Sequence, residues 1–92
     1  MVEQTVVITN RLGLHARAAA QLVRVANCFN CQLRIERLDQ SATADAKSIL
    51  SVLMLAASRG TELRLSADGT DEIEAIAALT GLFAHGFGEI PP

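Results

Sequence analysis

The chain opens on a strand pattern. Over residues 2 to 9, Val2, Val6 and Ile8 fall on one face and Glu3, Thr5 and Thr9 on the other, in a run rich in β-branched residues. Asn10 and Gly13 break the period. Ala19, Leu22, Val23 and Ala26 then recur at helical spacing, which predicts a helix over about residues 16 to 27. Gln32 to Arg37 alternates cleanly with Leu33 and Ile35 inward, giving a second strand with one solvated face. Asp39-Gln40-Ser41 reads as a turn, and Ala42 to Ala44 leaves room for a short third strand.

From Lys47 or Ser48, the set Leu50, Leu53, Met54 and Ala57 has helical spacing. A second helix is expected to end near Ser58-Arg59-Gly60, with Ile49, Val52 and Leu55 outside its core stripe. Glu62 to Ser66 alternates as a fourth strand, and Asp68-Gly69 supplies a turn. Thr70 or Asp71 can cap a last helix whose first turn carries Asp71, Glu72 and Glu74. Its expected core stripe is Ile73, Ile76, Ala77, Thr80, Phe83, Ala84 and Phe87, closed by Gly86, Gly88 and Pro91-Pro92. The order is β-α-β-β-α-β-α. Alternating strands with one buried face and three amphipathic helices imply an α+β open-faced sandwich, a four-stranded antiparallel sheet covered on one face by three helices.

Composition narrows the function. Ninety-two residues make one domain, spanning 1–92, too small for a second core or the machinery of an ordinary enzyme. Half the residues are apolar but only three are aromatic, so the core must be aliphatic. A net charge of −2 argues against nucleic acid, and no apolar run reaches membrane-spanning length or forms a signal peptide, so a cytoplasmic protein is expected. Charge is uneven. Residues 1 to 37 hold five Arg against Glu3 and Glu36, a balance of +3, and residues 38 to 92 hold three bases against eight acids, a balance of −5. Arg11, Arg17 and Arg24 fall in the loop and first helix, a collar of three.

Cys28 and Cys31 have a CxxC spacing, but a redox pair opens a helix after a strand, and this one closes a helix. A zinc site needs about four ligands, and His15 and His85 have no partnered spacing. The pair reads as two small apolar residues near a strand in a reducing compartment; a redox or metal protein stays open as a separate class. No metal and no cofactor are expected. His85, near the end of the last helix, suits the dipole there.

The segment Gly13-Leu14-His15-Ala16-Arg17-Ala18-Ala19 is the sharpest local feature. No Ser, Thr, Asp or Asn caps this helix; His15 takes the cap position, and Ala16, Ala18 and Ala19 leave the first-turn amides accessible. An uncapped helix N-terminus is an anion site, and Arg17 adds forked donors suited to phosphate. His15 is a nucleophile competent to accept a phosphoryl group. The plainer alternative is a surface histidine beside a solvated arginine, and the motif alone does not decide. No GxxxxGK[ST], HExxH or GxSxG motif is present, so a phosphoryl group must come from and go to other proteins. Ser48 is an obvious N-cap of the second helix, and a phosphate there would add negative charge beside a docking surface. Ile49, Leu50 and Leu53 are either extra core or an exposed docking patch.

At Gly-Leu-His-Ala-Arg-Ala-Ala the chain resembles the HPr family, the histidine-containing phosphocarriers of the bacterial phosphoenolpyruvate:sugar phosphotransferase system. Ile8-Thr9-Asn10, Ala46-Lys47-Ser48-Ile49-Leu50 and the Gly60 and Gly69 turns extend the resemblance over nearly the whole chain. It implies that His15 is phosphorylated at Nδ1 by enzyme I and passes the group to an enzyme IIA domain. Ala16 and Arg17 would hold the phosphate, with Ser48 the serine modified by HPr kinase/phosphorylase and Arg24, Ile49, Leu50 and Leu53 meeting partners. A monomer is expected. Where the family usually has Pro after the arginine, Ala18 stands here, which bears on how firmly the first turn is held. The segments before His15 and from Ser48 to Leu55 also look like the nitrogen-related branch, which relays phosphate for regulation rather than sugar uptake. The alternative function is a non-catalytic regulatory module that docks partners through its first two helices.

Overall fold

The computed structural model describes residues 1–89. Along it run β1 (Val2–Val7), α1 (Ala16–Ala26), β2 (Gln32–Arg37), β3 (Thr43–Asp45), α2 (Ile49–Leu53), β4 (Glu62–Asp68) and α3 (Glu72–Ala84), followed by a 3-10 turn at Gly86–Gly88. The element order is the expected one. The four strands pair antiparallel in the spatial order β1-β4-β2-β3. Because successive side chains point to opposite faces, Val6 opposite Leu63 and Leu33 and Ile35 opposite Ala67 and Leu65 share one buried face. Glu3, Thr5, Arg34 and Arg64 face water on the other. Three helices cover the buried face, making the open-faced sandwich.

The core between the layers is aliphatic. Leu22, Ile35, Val52, Leu63 and Leu65 are wholly buried, and Phe83 and Phe87 add an aromatic pair, edge to face with centroids 5.0 Å apart. Ala18 is buried in an intact first turn of α1.

Two helix faces differ from expectation. α2 ends at Leu53 with Met54 as its C-cap, so Arg59 and Gly60 close no helix. Val52, Leu55 and Ala57 point inward; Leu50 and Met54 are about two-thirds or more exposed, with Ile49 and Leu53 also outside. Little more than one turn cannot display a 3.6-residue period, and Ala56, at φ 50°, breaks its phase. In α3 the buried stripe is Ala75, Ile76, Leu79 and Phe83, whereas Ile73, Ala77 and Ala84 are exposed and Thr80 is half-buried. Apolar residues surround that helix, so the pattern does not set which side faces in. Phe87 is buried as expected, but in the 3-10 turn rather than on the helix. The Pro91-Pro92 stop lies outside the described residues.

Asp71 is the N-cap residue of α3, yet its side chain caps nothing there. Its carboxylate accepts from the amides of Asn30 at 2.8 Å and Cys31 at 3.0 Å, tying α3 to the start of β2. The Asn30 amide above all holds this carboxyl below its usual range. Cys28 is exposed and Cys31 buried, both free. Burial, and then the Asp71 carboxylate, push the Cys31 thiol up, the opposite of an activated thiolate.

Candidate functional site

The loop between β1 and α1 is held from beneath. Asn10 is fully buried, and its Nδ2 donates to the Gly13 carbonyl at 2.7 Å. Gly13 has φ +68°, and a Cβ there would meet the Ala57 carbonyl oxygen at 2.6 Å, so only glycine fits this close crossing over the segment after α2. The Leu14 amide donates to the same Ala57 oxygen at 2.9 Å, and the Leu14 side chain is buried. These anchors deliver the next residue, His15, to the start of α1.

His15 is the N-cap, and it caps with its ring: Nδ1 accepts from the Arg17 amide at 3.2 Å. The helix start is therefore not uncapped as expected, because an imidazole nitrogen does the work of a Ser or Asp oxygen. Ala19 donates to the His15 carbonyl at 2.8 Å, and Ala18 and Ala19 are core residues. The amides of Ala16 and Ala18 have no hydrogen-bond partner among the described residues. No acidic residue lies in the first turn of α1, so its positive end stays uncompensated by its own helix. The Arg17 side chain is exposed beside it.

Glu89 completes the site, and sequence reasoning did not single it out. Its Oε1 meets His15 Nε2 at 2.5 Å, with the two side chains only 14% and 25% exposed. Since an N–H points into Nδ1, that nitrogen carries the lone pair, and the proton of the neutral ring lies on Nε2 facing Glu89. Burial pushes the Glu89 carboxyl up, but its neighbours Asn10, His15 and Arg17 more than reverse this and hold it below its ordinary value. Glu89 Oε2 and Asn10 Oδ1 are buried without a hydrogen-bond partner among the described residues. The signal in the sequence was Phe87 between two glycines. Its ring is an anchor that draws the next residues back onto the body, and the Gln21 side-chain Nε2 donates to the Phe87 carbonyl at 3.2 Å.

The other candidates fall elsewhere. Ser48 is the N-cap of α2 and accepts from the Ser51 amide at 3.3 Å. Ile49, Leu50 and Leu53 lie outside the core, which makes them a patch rather than extra core, extended by Met54. α1 and α2 pack against each other, and the Asn27 side chain donates to the Lys47 carbonyl at 3.2 Å, so Ser48 sits by the C-terminal end of α1. Arg24 is in that last turn, about 13 Å along the helix axis from His15, where it complements the negative end of the dipole. The collar of three arginines around His15 therefore loses Arg24. His85 is the exposed C-cap of α3. Among the described residues no group of three or more His, Cys, Asp or Glu side chains is placed to hold a metal ion, and no helix is long and apolar enough to cross a membrane.

Residues 2–85 match the family model described as the PTS HPr component phosphorylation site. The chain is 49% identical over 84 residues to the phosphocarrier protein HPr of Pseudomonas aeruginosa, covering 91% of this chain and 92% of that protein. It is 41% identical over 88 residues to the phosphocarrier protein NPr of Escherichia coli K12, covering 96% and 97%. Among solved structures, that of HPr-C-His from Thermoanaerobacter tengcongensis superposes with a TM-score of 0.90 at 44% identity, over 97% of this chain and 98% of that one.

Proposed function

The chain belongs to the HPr family, whose members are phosphocarriers rather than independent catalysts, and from that premise we propose that His15 is its transient phosphoryl acceptor. In this reading enzyme I, charged from phosphoenolpyruvate, donates the group in the cytoplasm, and an enzyme IIA domain receives it. The observation that carries it is the presentation of the His15 ring, with Nδ1 over the start of α1. The Nδ1 lone pair attacks phosphorus, and the donor's bond to phosphorus breaks with its electron pair leaving on the donor. Forming the new N–P bond frees the Arg17 amide from Nδ1 to donate to a phosphoryl oxygen instead. The amides of Ala16 and Ala18, the helix dipole and the Arg17 guanidinium add to this. The carrier stays a covalent intermediate, and the relay needs no metal or cofactor of its own.

The exposed Ile49, Leu50, Leu53 and Met54 supply an apolar face for partners on the helix that packs against α1, with Arg24 in the last turn of α1. Phosphorylation of Ser48, as by HPr kinase/phosphorylase, would keep an acceptor for the Ser51 amide while placing added negative charge at the edge of that face. The same patch favours the second reading, a regulatory module that docks partners without carrying phosphate. Incubation with enzyme I and phosphoenolpyruvate separates the two. The phosphocarrier takes one acid-labile, base-stable phosphate that is lost in His15→Ala. Acid-stable label persisting in that variant would overturn the assignment, and partner interactions and cellular role all intact in it would favour the docking module.

A further inference from the structure

We infer that Glu89 is a positioning residue for phosphoryl transfer, holding the His15 ring through Nε2 so that Nδ1 is presented to the donor and the charge gained by the ring is offset. This rests on His15 being the acceptor.

Three features of the tail support it. The contact pairs one carboxylate oxygen with the one ring nitrogen that the α1 start does not use, so the two ring nitrogens are assigned opposite roles by opposite sides of the site. Placing Glu89 there is costly. Gly86, Phe87 and Gly88 all take left-handed backbone, and at Phe87, φ 56°, this is a strained conformation for a bulky residue. The turn persists because Phe87 is buried against Phe83 and its carbonyl accepts from Gln21. The second carboxylate oxygen is also buried, with Asn10 beside the carboxylate, so the group is shielded from bulk water and senses positive charge on the ring strongly.

Attack supplies that charge. As Nδ1 gives its lone pair to phosphorus, the ring becomes cationic while the Nε2 proton stays in place between the ring and Glu89. No proton has to leave the site. On discharge, the N–P pair returns to Nδ1 and the ring is neutral again. A fixed carboxylate already aimed at Nε2 stabilises the charged stage without rearranging, as preorganised groups do; carboxylates that orient metal-binding histidines through the same ring N–H matter by about ten- to a hundredfold.

The test uses the full chain with Glu89→Gln and Glu89→Ala. In the unphosphorylated protein, a slowly exchanging low-field Nε2 proton is expected by NMR in the wild type and is lost in Glu89→Ala. With enzyme I as the probe, kcat for phosphorylation is expected to fall by about tenfold or more in Glu89→Gln with KM and Tm unchanged. Gln keeps the shape and one acceptor but not the charge, so a role limited to docking the tail would leave its kcat intact. An Nε2 signal unchanged in Glu89→Ala, or Glu89→Gln phosphorylated at the wild-type rate, would overturn the role of Glu89 while leaving His15 as acceptor. Failure of the wild type to be labelled would instead remove the acceptor reading on which the inference rests.

Discussion

At α1 the cap residue is His15, whose Nδ1 accepts from an amide two residues on; at α2 it is Ser48, whose Oγ accepts from an amide three residues on. The caps do the same local work, but their surroundings diverge. α1 runs eleven residues and buries Ala18, Ala19, Leu22 and Ala26, and a carboxylate from the far end of the chain holds the other side of its cap ring. α2 runs five residues, buries Val52, and shows most of its remaining apolar side chains to water. One cap side chain is thus held on both of its polar atoms by a local and a long-range contact, while the other is held by a local contact beside an exposed apolar patch.

The largest effect that sharpens this contrast is in the core of α1. Leu22 is wholly buried, so Leu22→Ala is expected to lower stability by about 2–5 kcal/mol in denaturant unfolding; a loss under about 1 kcal/mol would mean α1 is not the better-anchored helix. Next is the cap of α2, where Ser48→Ala removes the acceptor for the Ser51 amide and should cost about 0.5–2 kcal/mol. Ser48→Asp, which keeps an acceptor, should recover most of that by the same measurement.

A smaller effect separates the caps by pH. The folded value of Glu89 is depressed, so what its ionised form contributes is fully present above the ordinary glutamate value of about 4.3 and lost only as pH falls through the lower folded value. Followed by the NMR shift of its carboxyl carbon, Glu89 should titrate below that ordinary value and move up toward it in Arg17→Ala. The Ser51 amide, resting on a hydroxyl, should keep its hydrogen-exchange protection over the same range once the intrinsic exchange rate is corrected for. A midpoint at or above the ordinary value would break the contrast. The smallest change in stability is expected at Leu50→Ala, within about 0.5 kcal/mol because the side chain is exposed, although partner binding measured by calorimetry should weaken. Clear destabilisation there would place Leu50 in the core after all.

The sequence by itself determined the element order, the strand faces and the His15-Arg17 segment. A strand's period of two is unambiguous over six residues, as Gln32 to Arg37 demonstrates, and His15 with Arg17 is a local constellation that needs no distant partner to be noticed. Helix faces were less legible. In α3 apolar residues surround the helix, and in α2 one turn gives no period, so only packing against the sheet decided that Leu79 and Val52 turn inward and Ile73 and Leu50 outward. Arg24 looked close to His15 in sequence but is nine residues on, and the helical rise carries it to the opposite end of α1. Glu89 is separated from His15 by 74 positions, and its one local mark, Phe87 between two glycines, does not say where the tail goes. Only the tertiary structure brought them together, because a carboxylate reaches Nε2 when the buried Phe87 folds the tail back over the start of α1, and that path is set by packing rather than by any pattern along the chain.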